Sequence, residues 1–173
     1  GWMARAEDLR AILEFCRRKR IWLIADEVYE RLVYDRPVSP SPLDFAGPDD
    51  PVISINSFSK SWCMTGWRLG WMIAPPALGD TLGKINEFNM SGATTFVQQG
   101  GIAAIREGEA FVAEIVAQYG RARDMVIQRL RSLPRVHMPM PDAAFYAFFR
   151  VEGVNGSLAL ARQIVNEAGV GLA

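Results

Sequence analysis

The sequence predicts an α/β fold in which helices flank a mostly parallel sheet. Residues 21–25 form a continuous apolar run, which is typical of a strand buried on both faces of a parallel sheet. Residues 7–20, before this run, repeat apolar positions on one helical face, and residues 52–56 after it have the composition of a second short strand. Strands joined by helices or long loops indicate an α/β sheet.

The next elements follow from turn residues and apolar spacing. Residues 37–51 contain five prolines, which predict a surface loop. Residues 57–61 are interpreted as a polar turn, and residues 69–74 as a third strand. Apolar side chains recur every three or four positions from residue 111 to residue 133, which predicts one amphipathic helix about 35 Å long.

The last part of the chain contains two more predicted elements. Residues 144–151 favour a strand, and residues 157–168 favour a helix with Ser157 as its N-cap and Gly169 just beyond its end. Residues 170–173 form an apolar run that resembles the start of another strand. The preceding long helix can leave one domain and enter the next, so we expect a domain boundary within it.

The composition excludes several classes of protein. Half of the 173 residues are hydrophobic and 19 basic side chains balance 19 acidic ones, which excludes a disordered chain and gives no net field for nucleic acid or an anionic membrane. Cys16 and Cys63 have no spacing that predicts a disulfide framework or a zinc site. No apolar run reaches the ~18 residues of a membrane span. We therefore expect a soluble cytoplasmic protein that binds no metal, nucleic acid or membrane.

Charged and hydroxyl side chains follow the predicted strands. Asp26 ends the first strand, where open α/β sheets bind their ligands. Lys60 follows the second strand and can form a Schiff base with a carbonyl once it loses its proton. The guanidinium of Arg68, together with the hydroxyls of Ser57 and Ser59, can bind a phosphate or a carboxylate.

Each of these residues also has a purely structural interpretation. Asp26 can cap backbone amides or pair with a surface arginine, Lys60 can be a solvated loop residue, and Arg68 can form a surface salt bridge. Because the three occur together after two predicted strands, we favour a functional site.

The motifs around these residues resemble a known family. Asp-Glu-Val-Tyr at residues 26–29 is followed by Ser-Phe-Ser-Lys at residues 57–60, by Met-Thr-Gly-Trp-Arg-Leu-Gly at residues 64–70, and by Ala-Phe-Tyr at residues 144–146. These motifs, in this order, resemble the class I and II aminotransferases, which are pyridoxal-phosphate enzymes of fold type I. Cys63 departs from the small residue that the family usually has at its position.

The resemblance also implies a division of the chain. Residues 1–106 would be part of the large cofactor-binding domain, residues 107–133 a connecting helix, and residues 134–173 part of the small α+β domain. Family members are usually more than twice this length, so the chain resembles an interior portion that lacks several contacts of the complete pocket.

The resemblance assigns roles to six side chains. Lys60 would bind pyridoxal 5′-phosphate as a Schiff base and then move a proton during catalysis, Asp26 would keep the pyridine nitrogen protonated, and Tyr29 would donate to the ring oxygen. The other three, which would bind the phosphate, are Ser57, Arg68 and, with a weaker match, Ser59.

The implied activity is transfer of an amino group between an amino acid and a 2-oxo acid. Two alternatives remain open at this point. One is a lyase of the same fold that catalyses β-elimination at a carbon–sulfur bond. The other is a non-catalytic module that senses pyridoxal phosphate. The resemblance also implies a homodimer.

Overall fold

The first helix begins and ends where its charges predict. The computed structural model describes residues 1–172. Helix α1 (Ala6–Lys19) carries Glu7 and Asp8 in its first turn and three basic residues in its last turn, which complement the partial charges of the helix ends. Arg20 follows with a left-handed φ of 54° and turns the chain towards the sheet. The predicted helix is confirmed to within one residue at each end.

Three strands form the main sheet: β1 (Leu23–Asp26), β2 (Val52–Ser57) and β3 (Gly70–Ile73). Their order is β1-β2-β3, with β1 and β2 parallel and with β3 antiparallel to β2. The three predicted strands are confirmed with small changes in their ends. The predicted burial of the first strand on both faces is wrong, because Ile24 is 63% exposed and the described residues cover only one face of β1.

The segment after β2 differs from the predicted polar turn. The strand continues to Ser57, and residues Phe58–Ser61 then form one helical turn, α2. The Ser57 hydroxyl accepts a hydrogen bond from the Ser59 amide at 3.0 Å, so a side-chain cap starts a helix where polar residues suggested a turn.

Two helices lie in a region to which the sequence pattern assigned no element. They are α3 (Gly79–Met90) and α4 (Thr95–Glu107). No side chain of α3 is buried in the structure. The helix therefore packs no apolar face against the sheet, and such a face is what a helical repeat of apolar residues would predict. In α4, only Val97 and Gly101 are buried.

Helix α5 (Glu109–Arg131) confirms the predicted long helix. Its 23 residues correspond to about 35 Å at the standard rise. Val112 near its start and Ile127 near its end are its two buried residues, so the helix is anchored at both ends. Within residues 1–172, no helix is both long enough and apolar enough to cross a membrane.

The strand predicted over residues 144–151 is mostly wrong. Only Arg150–Val151 is a strand, β5, and it pairs antiparallel with β4 (Val136–His137). The backbone of Ala144 has a left-handed φ of 57°, which interrupts an extended conformation. The Ala144 amide instead donates to the Leu32 carbonyl at 2.7 Å, so this segment packs against the loop after β1.

The last helix, α6 (Ser157–Ala168), has the predicted bounds, and Gly169 ends it with a φ of 67°. Ser157 is the first helical residue rather than the N-cap; Gly156 occupies the cap position, without a side-chain hydrogen bond. Residues 170–172 are not a strand, contrary to the prediction, and Ala173 lies outside the described residues.

Gly70 allows β3 to approach β2 closely, and its replacement by a larger residue tests this close approach. A Cβ atom at Gly70 would lie 2.5 Å from the backbone oxygen of Asn56, which cannot move without disturbing the strand. We expect Gly70→Ala to lower the free energy of unfolding by about 1–3 kcal/mol, the usual cost of overpacking, in urea denaturation. Gly66→Ala is the matched control, because nothing lies within 4 Å of that position. Equal stability of the two variants would contradict the close approach.

Candidate active site

The candidate site lies where three strand ends meet. Because β1 and β2 are parallel and β3 runs opposite to β2, the end of β1, the end of β2 and the start of β3 share one edge of the sheet. Asp26 is the last residue of β1, Ser57 pairs with Gly70 across β2 and β3, and Lys60 lies on α2 directly after β2. The fold thus brings the sequence-predicted residues to a single edge.

Asp26 and Tyr29 line the same open cavity. Its volume is about 380 Å³, and Tyr146 also lines it. The Asp26 carboxylate is exposed, and its Oδ1 accepts a weak hydrogen bond of 3.3 Å from the Val28 amide. Asp26 therefore does cap a backbone amide, as its structural interpretation predicts. Its other carboxylate oxygen, Oδ2, takes no part in that hydrogen bond.

Tyr29 lies in an aromatic cluster formed with Phe145 and Tyr146. The ring centroids of Phe145 and Tyr146 lie 5.4 Å and 5.5 Å from that of Tyr29, both nearly edge-on. Burial raises the pKa of Tyr29 to about 12, with further increases from the hydrogen bond to Tyr146 and from the charge of Asp26. Tyr29 is therefore a neutral phenol at physiological pH and retains a proton to donate.

Lys60 is half-buried beside this aromatic cluster. Its Nζ lies 5.9 Å from the ring centroid of Tyr29 and 6.0 Å from that of Phe145, at the outer limit of a cation–π contact. Within residues 1–172, no carboxylate oxygen lies within 4.0 Å of its Nζ. The lysine is therefore held beside two rings without an ion-pair partner in the described chain.

The hydroxyl groups near Lys60 have structural partners. The Ser57 hydroxyl accepts from the Ser59 amide and donates to the Leu69 carbonyl at 3.3 Å, so it links α2 to the start of β3. Ser59 is 8% exposed. Because a hydroxyl hydrogen can rotate, the long bond from Ser57 to Leu69 leaves this donor available to a ligand.

Arg68 is exposed and reaches the same edge from the side of β3. Its backbone has a left-handed φ of 52°, and its Nη1 donates to the Thr65 carbonyl at 2.8 Å. It lines a groove of about 410 Å³ with Asn86 and Gln98, separate from the cavity of Asp26 and Tyr29. Within the described residues no hydrogen bond joins Arg68 to Ser57, Ser59 or Lys60, so the structure brings it to the edge without direct contact.

A buried polar network behind the edge was missed in the sequence. The Asn56 amide donates to the Ser54 hydroxyl at 2.8 Å, and Ser54 in turn donates to the Glu27 carboxylate. Ser54 is fully buried and Asn56 is 5% exposed. Alternate positions of β2 are therefore polar and buried, and the two-residue spacing of Ser54 and Asn56 was the signal that could have revealed this.

The contacts of Tyr29 with Phe145 and Tyr146, and of Lys60 with Phe145, were also missed. The Tyr29 and Tyr146 hydroxyls are 2.6 Å apart although 117 positions separate the residues. No local pattern predicts a contact over this distance. The resemblance through residues 144–146 was the available signal, but it indicated a strand and not an approach to Lys60.

The protein is an α/β protein with a candidate ligand site at the ends of its strands. That site brings together an amine, a phenol, a carboxylate and a guanidinium. The chain matches the family model of aminotransferase class I and II over residues 1–172, and it therefore belongs to that family. The resemblance seen in the motifs is confirmed.

Individual relatives agree with this assignment. The chain is 32% identical to a probable aspartate/prephenate aminotransferase of Aquifex aeolicus, over 98% of this chain and 45% of that protein. It is 35% identical to an LL-diaminopimelate aminotransferase of Nitratidesulfovibrio vulgaris, over 92% of this chain and 41% of that protein. The chain thus spans less than half the length of these relatives.

Solved structures confirm the predicted fold class. An aspartate aminotransferase from Thermotoga maritima superimposes with a TM-score of 0.89 at 29% identity, over 100% of this chain and 44% of that chain. An aromatic aminotransferase from Pyrococcus horikoshii also gives a TM-score of 0.89, at 31% identity over 97% of this chain and 46% of that one. The chain has the α/β architecture of part of a fold-type-I aminotransferase.

The Ser57 cap positions the short helix that carries Lys60, and it can be tested by replacement. We expect Ser57→Ala to lower the free energy of unfolding by about 1 kcal/mol, the usual value of an N-cap, and Ser57→Thr to retain most of it. Ser157→Ala is the control, since that serine makes no capping hydrogen bond. The measurement is urea denaturation, and equal losses for Ser57→Ala and Ser157→Ala would contradict the cap.

Proposed function

We propose that the protein carrying this chain is a pyridoxal-phosphate-dependent aminotransferase, which moves an amino group between an amino acid and a 2-oxo acid. Membership of the family and the aminotransferase names of the relatives support this reaction. Among residues 1–172, no contact favours β-elimination or a non-catalytic sensor.

One observation carries the proposal. Lys60 Nζ lies 5.9 Å from the ring of Tyr29, and the charge of Asp26 contributes to the raised pKa of that same tyrosine. An amine, a phenol and a carboxylate from two parallel strand ends are thus close enough to act on one small ligand. This combination is the one that a pyridoxal ring requires, with its aldehyde, ring oxygen and ring nitrogen.

The residues present fit the phosphate end as well as the ring. Arg68 donates through one nitrogen to Thr65, so its other N–H groups can serve a dianion. The hydroxyls of Ser57 and Ser59 lie on the neighbouring turn, at the same sheet edge. We propose that these three side chains bind the phosphate of pyridoxal 5′-phosphate.

The chain's own residues then have distinct tasks. Bound pyridoxal phosphate supplies an electron sink for the bond that breaks at the substrate α-carbon. Lys60 would hold the cofactor through its amine and, once the substrate has displaced it, would move a proton between the substrate α-carbon and the cofactor carbon C4′. Asp26 would accept a hydrogen bond from the protonated ring nitrogen, and Tyr29, which stays protonated at neutral pH, would donate to the ring oxygen.

We also propose the domain division that the resemblance implies. Residues 1–106 would form part of the large domain, residues 107–133 the connecting helix, and residues 134–173 part of the small domain. The boundaries agree with the position of α5 between the three-stranded and two-stranded sheets.

A homodimer is the proposed assembly. Large apolar side chains of α3 and α4 are solvent-exposed in this chain, which is typical of a surface that another polypeptide covers. The most exposed are Phe88 at 93%, Phe96 at 74%, Ile105 at 61% and Ile85 at 58%. We propose that this surface contributes to the contact between two subunits.

Covalent attachment to Lys60 is the most direct consequence. After incubation of the full-length protein with pyridoxal phosphate and reduction with borohydride, mass spectrometry should locate the added mass on the peptide that contains Lys60. Lys60→Ala should lose this label, because the variant removes the amine that lies beside Tyr29 and Phe145. Lys84→Ala, which removes an exposed lysine of α3, should keep it. A label elsewhere in the unaltered protein would contradict the assignment.

The proposed subunit contact predicts that a charged substitution within it lowers the mass of the assembly in solution. We expect Phe88→Glu to shift the full-length protein from dimer to monomer in sedimentation, because a buried unpaired carboxylate opposes association. Phe148→Glu is the matched control, since Phe148 is 87% exposed but lies on a different segment. A dimer that persists in Phe88→Glu would contradict a contact at this surface.

A further inference from the structure

Two tyrosine hydroxyls from distant parts of the chain meet at the candidate site. The oxygens of Tyr29 and Tyr146 are 2.6 Å apart, within the usual range of a good O–H···O hydrogen bond. Their rings lie 5.5 Å apart and nearly perpendicular. The contact joins the residue proposed to donate to the cofactor with a residue that has no assigned role.

The backbone holds Tyr146 in this place. Ala144 donates through its amide to Leu32 at 2.7 Å and accepts at its carbonyl from the Tyr34 hydroxyl at 2.5 Å. Ala143, immediately before it, forms a bridge with Val33. Tyr146 lies two residues beyond these contacts, so its ring is placed by the same loop that follows β1 and carries Tyr29.

The hydrogen bond between the two hydroxyls can run in either direction. Each hydroxyl has one proton and two lone pairs. Without a ligand, Tyr29 can donate a hydrogen bond to Tyr146, since either hydroxyl of the pair can be the donor. When an anionic oxygen approaches, Tyr29 can turn its proton to that oxygen while Tyr146 donates to Tyr29.

We infer that Tyr146 is a positioning residue, whose hydroxyl holds the Tyr29 hydroxyl in place and reverses its hydrogen bond when a ligand oxygen binds to Tyr29. The reversal needs only rotation of two O–H bonds, because the oxygens already lie 2.6 Å apart. A chain of two hydrogen bonds then strengthens the donor that faces the ligand. The identity of that ligand rests on the proposed function. The hydrogen bond between the two hydroxyls is independent of that function.

A titration of the cofactor-free, full-length protein tests the pair. Tyrosines labelled with ¹³C at Cζ are followed by NMR, with the Tyr29 signal assigned by its loss in Tyr29→Phe. Tyr146→Phe should change the pKa of Tyr29, because it removes both the acceptor of the neutral phenol and the donor to the phenolate. Asp26, whose charge also raises this pKa, and Lys60, whose Nζ lies 5.9 Å from the Tyr29 ring, are unchanged by this variant. An unchanged pKa of Tyr29 would overturn the inference.

The matched control is Tyr119→Phe. Tyr119 belongs to the same cluster, because its ring lies 5.5 Å from Phe145, but its hydroxyl contacts Cys63 and not Tyr29. This variant should leave the titration of Tyr29 unchanged. An equal shift in Tyr119→Phe and Tyr146→Phe would show a general effect of the cluster and would also overturn the inference.

Equilibrium dialysis against pyridoxal phosphate separates this inference from the proposed function. Tyr146→Phe should weaken binding roughly fivefold, the effect of one net hydrogen bond, while Tyr119→Phe binds like the unaltered protein. If the unaltered protein fails to bind, the proposed function is wrong, and the NMR titration still decides the role of Tyr146. If it binds and Tyr146→Phe binds equally well, the inference is wrong and the proposed function stands.

Discussion

The pairing of β2 with two neighbours of opposite direction determines the arrangement of the candidate site. The parallel pairing with β1 places the ends of both strands at one edge, and the antiparallel pairing with β3 brings the start of that strand to the same edge. Asp26, Lys60 and Arg68 come from chain positions up to 42 residues apart, yet each follows or precedes one of these ends. A change of register by one residue would turn alternate side chains of β2 to the opposite face.

The buried face of β2 explains why this register is specific. Val52, Ser54 and Asn56 point to the buried side, where the Asn56 amide donates to Ser54 and Ser54 donates to Glu27. The side-chain oxygen of Asn56 has no hydrogen-bond partner among the described residues. A slipped register would expose this network or leave its polar groups without partners, at a cost comparable to a lost hydrogen bond for each group. The network therefore links the end of β1 to the end of β2, immediately beside Asp26 and Ser57.

Sequence reasoning predicted those parts that depend on local patterns. The apolar run before Asp26, the helical spacing of α5 and the motif around Lys60 are local, and each was interpreted with the correct type of element or family. The missed parts depend on contacts between distant residues. Tyr146 reaches Tyr29 because Ala144 adopts a left-handed backbone, and α3 packs no buried side chain that could show periodicity. The exposure of Ile24 likewise depends on what covers the sheet, which strand composition does not specify.

A crystal structure of the full-length protein with pyridoxal phosphate is the most direct test of the proposed site. We expect continuous density from Lys60 Nζ to the cofactor, with Asp26 at the ring nitrogen, the Tyr29 hydroxyl at the ring oxygen and Arg68 at the phosphate. A cofactor bound away from the shared edge of β1, β2 and β3, or one whose ring nitrogen faces away from Asp26, would contradict the site proposed for this chain.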